Sequence, residues 1–173
     1  MSGHNRPRRR ISTAFPALVL AAVVVYAAVA AGAWAQSGRS VPRYVSLRAG
    51  EVNVRTGPGV RYPIEWVFQR KDLPVEVTTE YDTWRKIRDW EGTEGWVHQS
   101  MLSSKRTVLI TKETRTLRRE PSSGAPAVAH AEPGVVGALK WCEVGWCRVR
   151  VAGYEGWLMT ADFWGIYDGE KIE

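Results

Sequence analysis

The chain has 173 residues, enough for one ordinary domain or two small ones. It carries 24 Lys and Arg against 18 Asp and Glu, but Arg6, Arg8, Arg9 and Arg10 precede Ala35 and no acid does, which leaves 20 basic against 18 acidic residues beyond that point. A nucleic-acid interface needs a basic face that neutralises several phosphates. Here acids interleave with the bases, as in Arg85-Lys86-Ile87-Arg88-Asp89, so nucleic acid is set aside as a partner.

Met1 to Thr13 is basic, and Ala14 to Ala35 then runs without a charge and closes on Ala33-Trp34-Ala35. A basic n-region, an apolar h-region and an A-x-A exit make residues 1–35 a secretory signal peptide, with cleavage expected after Ala35. The competing reading is a signal anchor, because residues 14–35 are about long enough to span a bilayer. Pro16 near the start and the small alanines near the end favour cleavage. Either reading places residues 36–173 outside the cytoplasm, in a periplasm or otherwise exported, and confines membrane contact to an uncleaved segment. Arg8-Arg9-Arg10 also admits a twin-arginine signal.

Residues 36–43, QSGRSVPR, read as a linker. From Tyr44 onward short alternating stretches are broken by turns, with no helical periodicity, so the mature chain is expected to be mainly β. Val52 and Val54 share one face of the first such stretch, Asn53 and Arg55 the other. Gly57-Pro58-Gly59 lacks the Lys-Ser/Thr and the helix of a phosphate loop. It reads as a type II turn, with Pro58 first and Gly59 supplying a positive φ. Val75 and Val77 point inward with Glu76 outside, and Glu80-Tyr81-Asp82-Thr83 turns the chain into Trp84-Arg85-Lys86-Ile87-Arg88. If Ile87 faces the core, Trp84, Lys86 and Arg88 share the outer face. Residues 105–113, KRTVLITKE, hold no Gly or Pro, and so short and ordered a connection implies contact between the segments on either side of it. GIYDGEKIE, after Trp164, is expected to fray.

The landmarks repeat. Asn53-Val54-Arg55-Thr56-Gly57-Pro58, Tyr62-Pro63-Ile64, Trp84-Arg85-Lys86-Ile87 and Glu94-Gly95-Trp96-Val97 return in order as Thr116-Leu117-Arg118-Arg119-Glu120-Pro121, Ala125-Pro126-Ala127, Trp146-Cys147-Arg148-Val149 and Glu155-Gly156-Trp157-Leu158. Internal duplication at this spacing means two small domains. Val-Asn-Val-Arg-Thr-Gly-Pro-Gly, Tyr-Pro, an alternating Val-Glu-Val, Trp-Arg-Lys-Ile and a closing Glu-Gly-Trp-Val resemble the bacterial SH3-like (SH3b) family, and the whole resembles small exported proteins with two tandem copies. The resemblance covers residues 44–104 and, more diverged, 105–167, leaving 168–173 as a tail. The second copy departs from the pattern where Arg119-Glu120-Pro121-Ser122 replaces Thr-Gly-Pro-Gly. The resemblance implies a pair of small, strongly bent β-barrels, whose relatives in many cases bind cell-wall peptidoglycan or peptides.

Resemblance and aromatic content together suggest a ligand surface on the first copy made of Arg55, Tyr62, Tyr81, Trp84 and Trp90. The alternative for Trp84 is a cap on the barrel or a ring stacked under arginine. Cys142 and Cys147 flank Glu143-Val144-Gly145-Trp146, so a tight turn at Val144-Gly145 would set them on facing strands within disulfide reach. Outside the cytoplasm they are expected to be oxidised as a structural staple. Zinc would need about four ligands, and only His98, His130 and His4 are otherwise at hand, so no metal and no cofactor is implied. A lone His98 has no free cysteine to partner, and the carboxylates fall mostly in turns. The chain therefore reads as a non-catalytic binding module for peptidoglycan or, alternatively, for an envelope protein.

Overall fold

The computed structural model describes residues 40–172. The apolar segment 14–35 and residues 36–39 of the linker lie outside the described residues, and among the described residues no helix is long and apolar enough to cross a membrane. As the alternation requires, the described chain is mainly β. The first sheet is built from β1 (Arg43–Leu47), β2 (Val52–Arg55), β3 (Ile64–Phe68), β4 (Pro74–Tyr81), β5 (Trp84–Arg88), β6 (Glu94–His98) and β7 (Leu102–Ser103). The second comprises β8 (Thr107–Leu109), β9 (Arg115–Arg118), β10 (Ala127–Ala131), β11 (Val136–Glu143), β12 (Trp146–Val151) and β13 (Tyr154–Met159).

The duplication extends to topology. The first sheet runs β3-β2-β6-β5-β4-β1-β7 and the second β10-β9-β13-β12-β11-β8, the same antiparallel order once β1 is matched to β8, with β7 an added edge strand of the first sheet. Each copy carries a bulge at corresponding places, between Val77 and Thr79 and between Leu139 and Trp141. A bulge adds local twist, which a short sheet needs in order to curl on itself. In each copy one antiparallel bridge, Arg55 with Trp96 and Trp157 with Arg118, joins the two halves at a corner. A Cβ on Gly156 would sit 3.0 Å from the Arg118 carbonyl oxygen, and one on Gly95 would run into Val54. The glycine of each Glu-Gly-Trp motif is therefore what lets the corner close.

Each copy has its own core. Leu47, Val52, Val54, Val75, Val77, Ile87 and Val97 fill the first; Val108, Ile110, Leu117, Val149 and Leu158 fill the second with Cys142 and Cys147. The cysteines are cross-strand partners on β11 and β12, with Cα atoms 4.1 Å apart and a disulfide between them. The turn at Val144-Gly145 takes two residues, with Gly145 at φ 75°. Its counterpart in the first copy is Asp82-Thr83; Glu80 and Tyr81, expected in the turn, belong to β4.

The segment 105–113 contributes a strand of the second sheet, and it also reaches the first core: Leu109 is buried in that cluster and Val136 packs against it. Two expectations are overturned at this seam. Glu76 does point away from Val75 and Val77, but it is only 2 % exposed, because the second copy covers it. Arg88 pairs with it through Nε at 2.8 Å, and the Tyr167 hydroxyl donates to its Oε1 at 2.7 Å. Nor does the segment after Trp164 fray. Tyr44 meets the rings of Trp164 at 4.8 Å and Tyr167 at 4.7 Å, Glu170 is paired with Arg106, and the Cys142 N–H donates to the Ile172 carbonyl. Its tyrosine and two isoleucines give this polar-looking stretch enough surface to dock.

Candidate functional site

The parity argument for β5 holds. Arg85 and Ile87 are buried, while Trp84, Lys86 and Arg88 lie on the opposite, outer face. The register extends that face across β6, where His98, Trp96 and Glu94 stand opposite Trp84, Lys86 and Arg88 in turn. Tyr81 is the partner of Trp84 on β4 and is 62 % exposed. Tyr81, Trp84 and His98 thus form one row at the hairpin end of the sheet, with the Trp84 ring 5.6 Å from the imidazole, edge to face. The next row is Lys86, Trp96 and Arg55, and Lys86 is tied to Glu94 at 2.5 Å.

The other candidates lie elsewhere. Trp90, 37 % exposed, sits in the turn between β5 and β6, at the far end of β5 from Trp84. Its neighbour Asp89 is buried and accepts from the N–H groups of Glu91 and Thr93, which fixes that turn. Tyr62 belongs to the loop after β2, and its ring rests on the Gly-Pro-Gly turn: a Cβ at Gly57 would lie 2.5 Å from the ring. The turn differs from the type II expectation. Gly59 has no positive φ; its N–H donates to the Gly57 carbonyl at 3.0 Å and its carbonyl accepts from the Tyr62 N–H at 3.2 Å. Gly57 is there because the tyrosine ring fills the space its Cβ would take, while a Cβ on Gly59 would only touch the ring at 3.4 Å.

Arg55 supports that loop. Its Nη1 donates to the carbonyls of Val60 at 3.1 Å and Tyr62 at 2.7 Å. Arg118 does the same in the second copy, to the Ala125 carbonyl at 2.8 Å. Tyr81 and Trp84 are therefore brought together, Arg55 joins them through the Lys86–Trp96 row, and Tyr62 and Trp90 flank the opposite end. Trp96 and His98 were absent from the sequence-based set. The signal for them was present: extending the in–out alternation from Val97 puts both on the outer face beside Trp84 and Lys86.

The same outer face recurs on the second copy with different contents. Trp141, Arg148, Trp157 and Arg118 form a row matching Thr79, Lys86, Trp96 and Arg55. The rings of Trp141 and Trp157 meet at 5.3 Å. Trp146 takes the place of Trp84, and its partner Met159 replaces His98.

The electrostatics of the described residues concentrate at the seam between the copies. Burial, then the charge of Glu76, pushes the Tyr44 phenol up to about 12. Burial and the hydrogen bond to Glu76 push Tyr167 still higher. Burial alone would raise Glu170, but hydrogen bonds from Arg106 and the Tyr167 N–H outweigh it and hold the carboxyl below its usual range.

Comparison with known proteins agrees with this architecture. The family model described as bacterial SH3 domain matches residues 48–104 and again 111–165, together more than half of the chain. No curated protein matches. Among solved structures the chain is similar to NlpC1 from Trichomonas vaginalis, at 14% identity and a TM-score of 0.33, over 75% of this chain and 48% of that one. It is also similar to NlpC2 from the same organism, at 12% identity and a TM-score of 0.34, over 75% of this chain and 50% of that one. The chain spans about half the length of these two structures. Two copies of one sheet order, matched bulges and corner glycines, and two matches to one family model lead to one assignment: the chain belongs to the bacterial SH3 domain family, as a tandem pair.

Proposed function

We propose that this protein is a non-catalytic, exported binding module that holds peptidoglycan or its peptides in the cell envelope. The observation that carries this reading is the row Tyr81–Trp84–His98, an aromatic platform on the outer face whose rings are not used up by the core. Flat rings flanked by Lys86 suit sugar faces and short extended peptides, which offer apolar surface with few charges. Family membership supports the same reading. A basic, apolar, A-x-A leader supports export, and a mature chain that begins at Gln36 is the expected product.

The test is co-sedimentation of the mature protein with purified peptidoglycan sacculi. The expected result is retention in the pellet, reduced about tenfold in Trp84→Ala, since aromatic stacking is worth about 1 kcal/mol or more per ring. Soluble fragments should not be released from the sacculi. Failure to pellet at low salt would transfer the role to an envelope protein partner, and release of fragments would make the chain an enzyme.

A further inference from the structure

We infer that the outer face of the second copy is a docking surface for an acidic polypeptide segment. The basis is a charge imbalance that appears only when the two copies are compared position by position. In the first copy each outer cation of β5 has its own carboxylate: Lys86 pairs with Glu94, and Arg88 with Glu76. In the second copy Arg148 and Arg150 share one carboxylate, Glu155, at 3.8 and 3.5 Å. The reason is a single position. Glu76 is the cross-strand partner of Arg88, and the corresponding partner of Arg150 is Ala138.

Both arginine side chains are about half exposed, at 51 % and 52 %. Arginine in this state has donors to spare and a fork that fits a carboxylate in two-point fashion. The other charges on this face do not cancel the surplus. Arg118 adds a cation and Lys140, in the bulge of β11, another; Glu143 lies at the hairpin tip and forms no ion pair with either arginine among the described residues. Beside the cations stand Trp141, 44 % exposed, the half-buried Trp146 and the exposed Met159. An open sheet face with aromatic and thioether surface between incompletely neutralised arginines fits a chain that alternates carboxylate and apolar side chains. A neutral glycan would leave the arginines unused. The inference does not depend on the wall-binding reading, which concerns the other copy.

The test uses the mature protein and two decapeptides, one alternating Glu with Leu and one alternating Lys with Leu, titrated calorimetrically at low salt. The Glu–Leu peptide is expected to bind and the Lys–Leu peptide not. Ala138→Glu, which gives Arg150 the carboxylate that Arg88 has, should weaken binding about tenfold, as should Arg148→Gln with Arg150→Gln, because charge-assisted hydrogen bonds are the ones lost. Lys71→Gln, in the exposed turn between β3 and β4 and outside both surfaces, should leave binding unchanged. If Ala138→Glu does not fold, the double arginine variant carries the test. Equal binding of both peptides, no binding of either, binding that survives the double arginine variant, or competition by a neutral chitin oligomer would each overturn the proposal.

Discussion

The Tyr167 hydroxyl donates to Glu76 Oε1 across 2.7 Å, and the two residues are 91 positions apart. Glu76 is buried in the first copy and Tyr167 lies beyond the last strand of the second, so this bond links the two barrels. Tyr167→Phe keeps the ring against Tyr44 and removes only the donor. The expected loss is about 1–2 kcal/mol of unfolding free energy, the usual worth of a hydrogen bond to a charged group that keeps another partner. Urea denaturation of the wild type and the variant measures it; equal midpoints would mean that the bond contributes nothing.

The same seam sets an alkaline limit. Tyr44 and Tyr167 both have phenols raised above the ordinary value of 10.0, Tyr44 to about 12. The folded state therefore holds these protons more tightly than the unfolded state. Their contribution is complete below about pH 10 and is lost as pH rises toward 12. Melting temperatures taken between pH 9 and pH 12 should fall through that window, and fall less in a Tyr44→Phe, Tyr167→Phe double variant. At the acid end Glu170 acts in the opposite sense: its lowered carboxyl stabilises above the usual value of 4.5, and that part is lost as pH falls through the folded value.

The disulfide closes a short loop. Chain-entropy reasoning gives so small a ring about 2 kcal/mol of stabilisation. Cys142→Ala with Cys147→Ala, which buries no hydroxyl in that core, is expected to lower stability by at least about that amount while the far-ultraviolet circular dichroism stays that of the wild type. Thiol titration of the unreduced protein should find no reactive thiol. Two titratable thiols would show that the Cys142–Cys147 bond does not form in the folded protein.

Gly95→Ala tests the corner. The added methyl meets Val54 inside a filled core, and overpacking of this kind costs about 1–3 kcal/mol. Gly50→Ala is the control, since nothing lies within 4 Å of a Cβ there. Equal effects of the two would remove the packing explanation of the Glu-Gly-Trp motif.

Alternation and repetition carry the fold in the sequence. Period-two burial at Val52 and Val54, and at Cys147, Val149 and Val151, is readable because one face of each strand is core. The outer position of Trp84 follows from the same parity. The burial of Glu76 is not legible, because parity reports direction and not the surface opposite; its cover is supplied by Tyr167, far away in sequence. The docking of GIYDGEKIE is hidden for the same reason, since its anchors Tyr44, Arg106 and Cys142 are not its neighbours in the chain. Resemblance and aromatic content put Tyr62 and Arg55 on a ligand surface, and neither reveals that Arg55 also donates to the carbonyls of Val60 and Tyr62.

The burial of Leu109 among the side chains of the first barrel has a temporal consequence. A chain that emerges N-terminus first presents Val75, Val77 and Ile87 well before residue 109 arrives to close over them, and Val136 comes later still. The first barrel's own strands end at Ser103, so the patch of its core that Leu109 and Val136 cover is the last to be sealed from solvent.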